Sequence, residues 1–206
     1  LLPGWRNSGP AHWQSRWEAI HGDCRVDQDD WLWPKRGDWM ARLDEVLLES
    51  DSQAVLVAHS LGCHLVAAWA AHSTHTLRVA AALLVAPIDS ERADMPPNLF
   101  NWRPIVRAPL PFASLTVISN DDPNCAPHRA TQMAADWGSE AIDIGPRGHI
   151  NADSGLLDWP QGRSMLSATR CAHWRRAARG AATSQCRSSS TPFAKAAGSA
   201  IACAWR

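Results

Sequence analysis

The sequence predicts an α/β fold: a mostly parallel sheet with helices on both faces, stacked in three layers. Three observations predict it. Along residues 1–165, short apolar runs of strand length alternate with longer stretches of helical period, the pattern of successive βα units. One such run passes into a helix through a turn of small residues, Ala58-His59-Ser60-Leu61-Gly62. Two later runs end in turn chemistry that carries ionisable groups, Asp121-Asp122-Pro123 and the Pro/Gly turn before His149.

The elements follow in chain order. Leu1 and Leu2 read as the remnant of a first strand that stops at Pro3-Gly4; no methionine precedes them, so this strand is expected to be incomplete. A helix is expected over 11–20, where Trp13 and Trp17 share a face at i, i+4 spacing, and another over 37–49. Strand 54–58 leads through the turn into an Ala-, Val- and Leu-rich helix over 61–72. Strand 82–86 ends at Pro87-Ile88-Asp89, and strand 114–119 ends at the paired aspartates. A helix over 126–137 and an alternating strand over 140–144 complete the set. Glu91 to Pro111 is Pro-rich and too short for a lid domain, so any cap is minimal and the site below it open. A chain of this size buries a sizeable core without disulfides.

The turn at Ser60 is where chemistry enters. A strand, a small-x-Ser-x-small turn and a helix make the nucleophile elbow of an α/β-hydrolase. The turn lifts a serine hydroxyl above the sheet edge and aims a helix N-terminus at the reacting carbonyl. The first small position is Ala58 rather than Gly, and the second is Gly62. A Ser in this place also suits a plain N-cap. The fold further requires an acid and then a His downstream, and Asp121 or Asp122 and then His149 supply them in that order at strand ends. Spacing does not separate the two aspartates, and Asp89 is a reserve acid. The three-layer sandwich is therefore expected to be α/β-hydrolase-like, with residues 1–165 as its domain.

The segments LLPGWRNSGPAHWQSRWE, QDDW, VLVAHSLGC, LLVAP, DDPNC and GPRGHINADSG together resemble the YdeN-like, or retinoblastoma-binding protein nine, family of serine hydrolases over about residues 1 to 165. The resemblance implies Ser60 as nucleophile, Asp122 as the acid and His149 as the base, because Asp122 is the carboxylate adjoining Pro123. Asp121 then reads as a loop-shaping Asx turn. In such a site His149 takes the Ser60 proton while Asp122 holds the imidazole tautomer. The oxyanion donors are expected to be the backbone N–H groups of Leu61 and Trp5. His59 is expected to pack or contact a loop rather than to act as base.

Substrate preference is less written in the residues. Twelve tryptophans and no tyrosine are present, and most are expected to pack helices onto the sheet. Trp31 and Trp102 are the candidates, with Trp5, for lining an acyl pocket near Ser60.

Other chemistries lack their motifs. Cys24, Cys63, Cys125, Cys171, Cys186 and Cys203 have no metal-clamp spacing, and neither HExxH nor a Gly-rich phosphate loop occurs. No metal or cofactor is expected. Scattered cysteines suit a reducing cytoplasm, and no secretory signal or transmembrane run is visible. Residues 1–158 hold all 20 acidic side chains and 12 Lys and Arg, a balance of −8; residues 159–206 hold 8 Lys and Arg and no acid. The basic Ala/Arg/Ser-rich tail, 166–206, is expected to be disordered or only partly helical. A reading-frame shift in a GC-rich coding sequence yields such text, so the tail is expected to be foreign to the family sequence. Three functions follow: a serine hydrolase acting on a small-molecule acyl substrate, an inactive hydrolase-fold interaction module, and an anion-binding or nucleic-acid-associated protein carried by the tail. The first is the reading adopted, with neither nucleic acid nor membrane as partner.

Overall fold

The computed structural model describes residues 1–171. Among the described residues, four strands, β1 (Ala54–His59), β2 (Val79–Val85), β3 (Ala113–Ile118) and β4 (Glu140–Asp143), form one sheet in the order β1-β2-β3-β4. Every pairing is parallel. Helices α1 (Trp13–His21) and α2 (Arg36–Leu48) precede β1, α3 (Leu61–His72) links β1 to β2, and α4 (Pro127–Asp136) links β3 to β4. A fifth helix, α5, covers residues 160–171. Leu2 lies parallel to β1 as a single bridge to Ala58, with Leu2 N–H donating to Val57 O at 2.8 Å and His59 N–H to Leu2 O at 3.0 Å.

Alternation along the strands creates the layers. Leu56, Ala58, Ala82 and Leu84 point into one apolar cluster with Leu43 and Leu47 of α2, Leu65 and Trp69 of α3 and Met133 of α4. Val57, Leu83, Val85, Leu115 and Val117 point the other way, onto Trp13 and Trp17 of α1, Trp159 and Leu166. Each face is thus covered by helices, as a period-2 strand buried on both sides requires. All seven residues of β2 are buried, whereas β4 is short, charged and exposed, which blunts the free sheet edge. Buried indoles find acceptors: Trp13 N–H bonds Ile150 O, Trp17 N–H bonds Asp158 O and Trp137 N–H bonds Val106 O, at 2.7–2.8 Å.

Most expected elements appear within two residues of their expected ends, and α3 coincides with its expected bounds. Strand β2 differs. It starts at Val79 instead of 82 and ends at Val85, because Ala86 turns to φ +47° and leaves the sheet. Ordered structure also continues past residue 165: Leu166 and Thr169 on α5 are buried. Residues 172–206, most of the basic tail, lie outside the described residues. Among the described residues no helix is long and apolar enough to cross a membrane.

Candidate active site

Strand β1 delivers Ser60 into a backbone conformation that a side-chain-bearing residue rarely adopts, φ 54° and ψ −118°. Such a conformation costs of order 1–3 kcal/mol and persists only where its surroundings fix it. Here Ser60 N–H donates to Val85 O at 2.9 Å, and Ser60 O accepts from Cys63 N–H at 3.0 Å. The small residues are steric necessities. A Cβ on Gly62 would stand 2.3 Å from Leu2 O, and one on Gly4 would stand 2.7 Å from Ser60 Cβ. The N-terminal segment therefore runs directly across the elbow, and its Gly4 touches the serine.

Two loops at the carboxyl ends of the strands meet at Ser60. The loop after β4 brings His149, whose Nε2 lies 2.8 Å from Ser60 Oγ. The loop after β3 brings Asp122, whose Oδ2 and Oδ1 lie 2.9 and 3.0 Å from His149 Nδ1. A proton on Nδ1, donated to the carboxylate, leaves Nε2 as the acceptor for the serine O–H. The Asp122 side chain is only 3% exposed and also accepts Asn124 N–H at 2.8 Å. A nearly dry carboxylate, a tautomer-fixed imidazole and a hydroxyl thus stand in one line.

The expected Asx turn belongs to the other aspartate. Asp122 closes the turn onto Asn124, while Asp121 reaches across to the histidine loop, accepting Gly148 N–H and Ser119 O–H at 2.7 Å each. The Ser119 bond, with the Gly148 bond beside it, holds the Asp121 carboxyl below the ordinary range. The reserve acid Asp89 is elsewhere engaged, gripped by Arg129 through bonds of 2.9 and 3.0 Å. Burial pushes the Asp89 carboxyl up, but the arginine outweighs it and the net displacement is downward.

Leu61 opens α3, so its N–H has no carbonyl one turn back. Trp5 follows Gly4, and its backbone N–H has no hydrogen-bond partner among the described residues. Leu61 adjoins Ser60 in the chain, Trp5 adjoins the Gly4 that touches it, and neither N–H has a partner among the described residues. The Trp5 ring is half-buried beneath the Arg6 guanidinium, and its Nε1–H donates to Leu32 O at 3.0 Å. Trp31 is half-buried and stands edge-on to Trp39. Trp102 corrects the expectation of a pocket wall. It is 1% exposed, edge-on to Trp39 and bonded to Pro34 O at 2.8 Å, so it offers no face to a ligand. Space beside the site lies instead in a cleft of about 370 Å³ walled by His149, Asn124, Arg147, Asn151 and Asp153.

Sequence reasoning missed buried His12, whereas His59 was expected to pack or contact a loop. His12 Nδ1 accepts Gln14 N–H, and His59 packs between His12 and His149. Burial pushes His12 down to about 4 and His59 well below its ordinary range. Burial likewise pushes the Cys125 thiol up to about 12 and Cys63 higher still, so neither forms a thiolate near neutrality. Among the described residues no cluster of three or more His, Cys, Asp or Glu could hold a metal ion.

Comparison with known proteins gives the following. The serine hydrolase family model matches residues 1–168. A YdeN-like hydrolase from Pectobacterium atrosepticum superposes with a TM-score of 0.73 at 29% identity, over 84% of this chain and 89% of that one. The ydeN gene product of B. subtilis superposes with a TM-score of 0.62 at 18% identity, over 82% and 95% of the two chains. A monoacylglycerol lipase from Paleococcus ferrophilus, at 10% identity and a TM-score of 0.62 over 84% and 93%, shares the fold. No curated relative matches by sequence.

Proposed function

Because the chain belongs to the serine hydrolase family, we propose that it cleaves small ester, thioester or amide substrates through Ser60, His149 and Asp122 and a covalent acyl-enzyme. The carrying observation is the continuous relay from Ser60 Oγ to His149 Nε2, at 2.8 Å, and from His149 Nδ1 to Asp122, at 2.9 Å.

In this reading Ser60 Oγ attacks the substrate carbonyl carbon as its proton passes to His149 Nε2. The imidazolium so formed is stabilised by Asp122, which stays ionised and keeps the ring in place. The carbonyl oxygen gathers negative charge and receives the N–H groups of Leu61 and Trp5, fixed donors that need no reorganisation. When the tetrahedral intermediate collapses, the bond to the leaving group breaks and His149 returns its proton to that group. A water then loses a proton to His149, attacks the acyl-enzyme carbonyl and frees the acid, restoring Ser60. The strained backbone at Ser60 supports the reading, since a merely capping serine gains nothing from it. The link between β2 and β3, residues 86–112, carries only a 3-10 helix at Pro97–Trp102 and no lid domain, which favours small substrates.

The test is hydrolysis of p-nitrophenyl acetate and butyrate, with labelling by a fluorophosphonate, in the unaltered chain and in Ser60→Ala. Activity and labelling in the first, with a loss of about 10³-fold or more in the folded variant, are expected. A folded chain that neither turns over nor labels, or a variant that keeps the activity, overturns the assignment.

A further inference from the structure

We propose that His59 is a positioning residue for this reaction, whose ring N–H bonds the backbone of His149 and so ties the base loop to the nucleophile elbow. This rests on the assignment of Ser60 and His149 above.

The loop that carries His149 has little regular structure of its own. Both neighbours of His149 stand at positive φ, Gly148 at 53° and Ile150 at 47°. A loop bent twice in this way depends on bonds from outside it. Two consecutive carbonyls receive such bonds. His59 Nε2 lies 2.9 Å from His149 O, and Trp13 Nε1–H donates to Ile150 O at 2.8 Å. A carbonyl only accepts, so the proton of the neutral His59 ring sits on Nε2.

His59 is well placed for this task because it adjoins Ser60 in the chain. It ends β1, where its own N–H is fixed to Leu2 O at 3.0 Å. Its side chain is buried, held edge-on by His12 at 4.7 Å and by Trp13 at 6.1 Å, and its ring lies 4.9 Å from that of His149. One residue thus connects the backbone that presents the hydroxyl to the backbone that presents the imidazole. A misplacement of about 1 Å between reacting groups costs on the order of 10²-fold in rate, so a rigid link there has kinetic consequence. Neutrality of His59 also matters. A second charged ring beside His149 would oppose the imidazolium that forms in each acyl transfer.

The experiment compares His59→Met, which fills similar space without a donor, with His59→Gln, whose amide can place N–H near Nε2. Each is normalised to the fraction labelled by fluorophosphonate. The expected result is a kcat lowered about 10- to 100-fold in His59→Met, KM changed by less than about threefold, and kcat largely restored in His59→Gln. A folded His59→Met with unchanged kcat, or a His59→Gln as slow as His59→Met, overturns the proposal. Should His59→Met fail to fold, long-range proton–nitrogen NMR of the unaltered chain decides. His59 is expected as the neutral Nε2–H tautomer; an Nδ1–H tautomer could not bond the carbonyl and overturns the proposal. Absence of fluorophosphonate labelling in the unaltered chain would instead remove the Ser60 assignment itself.

Discussion

Asp121 and Asp122 carry the same functional group one position apart, yet their surroundings assign them different work. Asp122 is turned inward onto His149 Nδ1, and Asp121 is tied to Gly148 and Ser119. Replacing Asp122 by Asn swaps the acceptor for an amide that can favour the wrong imidazole tautomer. Asp122→Asn is expected to lower kcat by about 10³- to 10⁴-fold without unfolding the chain. Asp121→Asn keeps an acceptor oxygen and is expected to cost about tenfold or less, through looser placement of the histidine loop. Steady-state hydrolysis of p-nitrophenyl acetate by both variants checks the ranking, and equal losses would refute it. Asp89→Asn is expected to leave kcat unchanged while lowering stability by about 1.5–3 kcal/mol, the worth of hydrogen bonds to a charged group, since its partner is Arg129. Urea unfolding reads that loss. Nothing in the spacing of the two neighbouring aspartates distinguishes them, because a turn points successive side chains in directions set by distant loops.

At the scale of elements, the elbow works because α3, β1 and the N-terminal segment pass within van der Waals distance. Gly62→Ala drives a Cβ against Leu2 O and Pro3 O, both backbone atoms that cannot swing aside. The expected result is a loss of about 1–3 kcal/mol in stability from overpacking, with a larger proportional loss of activity as the Trp5 N–H moves off Ser60. Thermal unfolding and kcat measured together check this, and an unperturbed enzyme would show the segment free to shift. This elbow was legible in the sequence because its constraints are local: a strand, a small-x-Ser-x-small turn and an apolar helix lie in one run of residues. The start of β2 was not legible. Val79-Ala80-Ala81 has the composition of a helix end as much as of a strand, and pairing with Ala54 and Val55 decides it. Trp102 was misread for a similar reason. A Trp in a Pro-rich link looks available to a ligand until the acceptor at Pro34 and the ring of Trp39 are seen to enclose it. Of the two positive-φ residues flanking His149, Gly148 belongs to a Pro/Gly turn visible in the sequence, but the β-branched Ile150 left no signal.

Over the whole molecule, the fold buries imidazoles on both faces of the sheet, and this makes acid its weak direction. His12 and His64 are both pushed down to about 4 by burial, and His59 is displaced the same way. His64 donates from Nε2 to Ile88 O and leaves a bare, buried Nδ1. These rings are neutral in the folded chain, whereas in the unfolded chain they take up protons near pH 6.5. Between about pH 6.5 and 4 the unfolded state therefore binds more protons, and stability falls as pH falls. Above pH 7 their effect is absent; at pH 5 it amounts to about 2 kcal/mol for each of His12 and His64. The carboxylates act in a lower window. Glu91 and Asp89 are pushed up by burial but held below their ordinary range by hydrogen bonds and by Arg107 and Arg129, so they stabilise the fold until pH drops through the carboxylate range. Two successive losses are thus expected, the buried histidines contributing to the first. Urea unfolding at pH 7.5, 6.5 and 5.0 is expected to show a falling midpoint, with the steepest change below pH 6.5. His64→Gln, which keeps a donor for Ile88 O and removes one titration, is expected to flatten that slope by about 2 kcal/mol between pH 7.5 and 5.0. A midpoint constant over this range, or an unchanged slope in His64→Gln, would mean that the buried rings gain protons in the folded chain as readily as in the unfolded one.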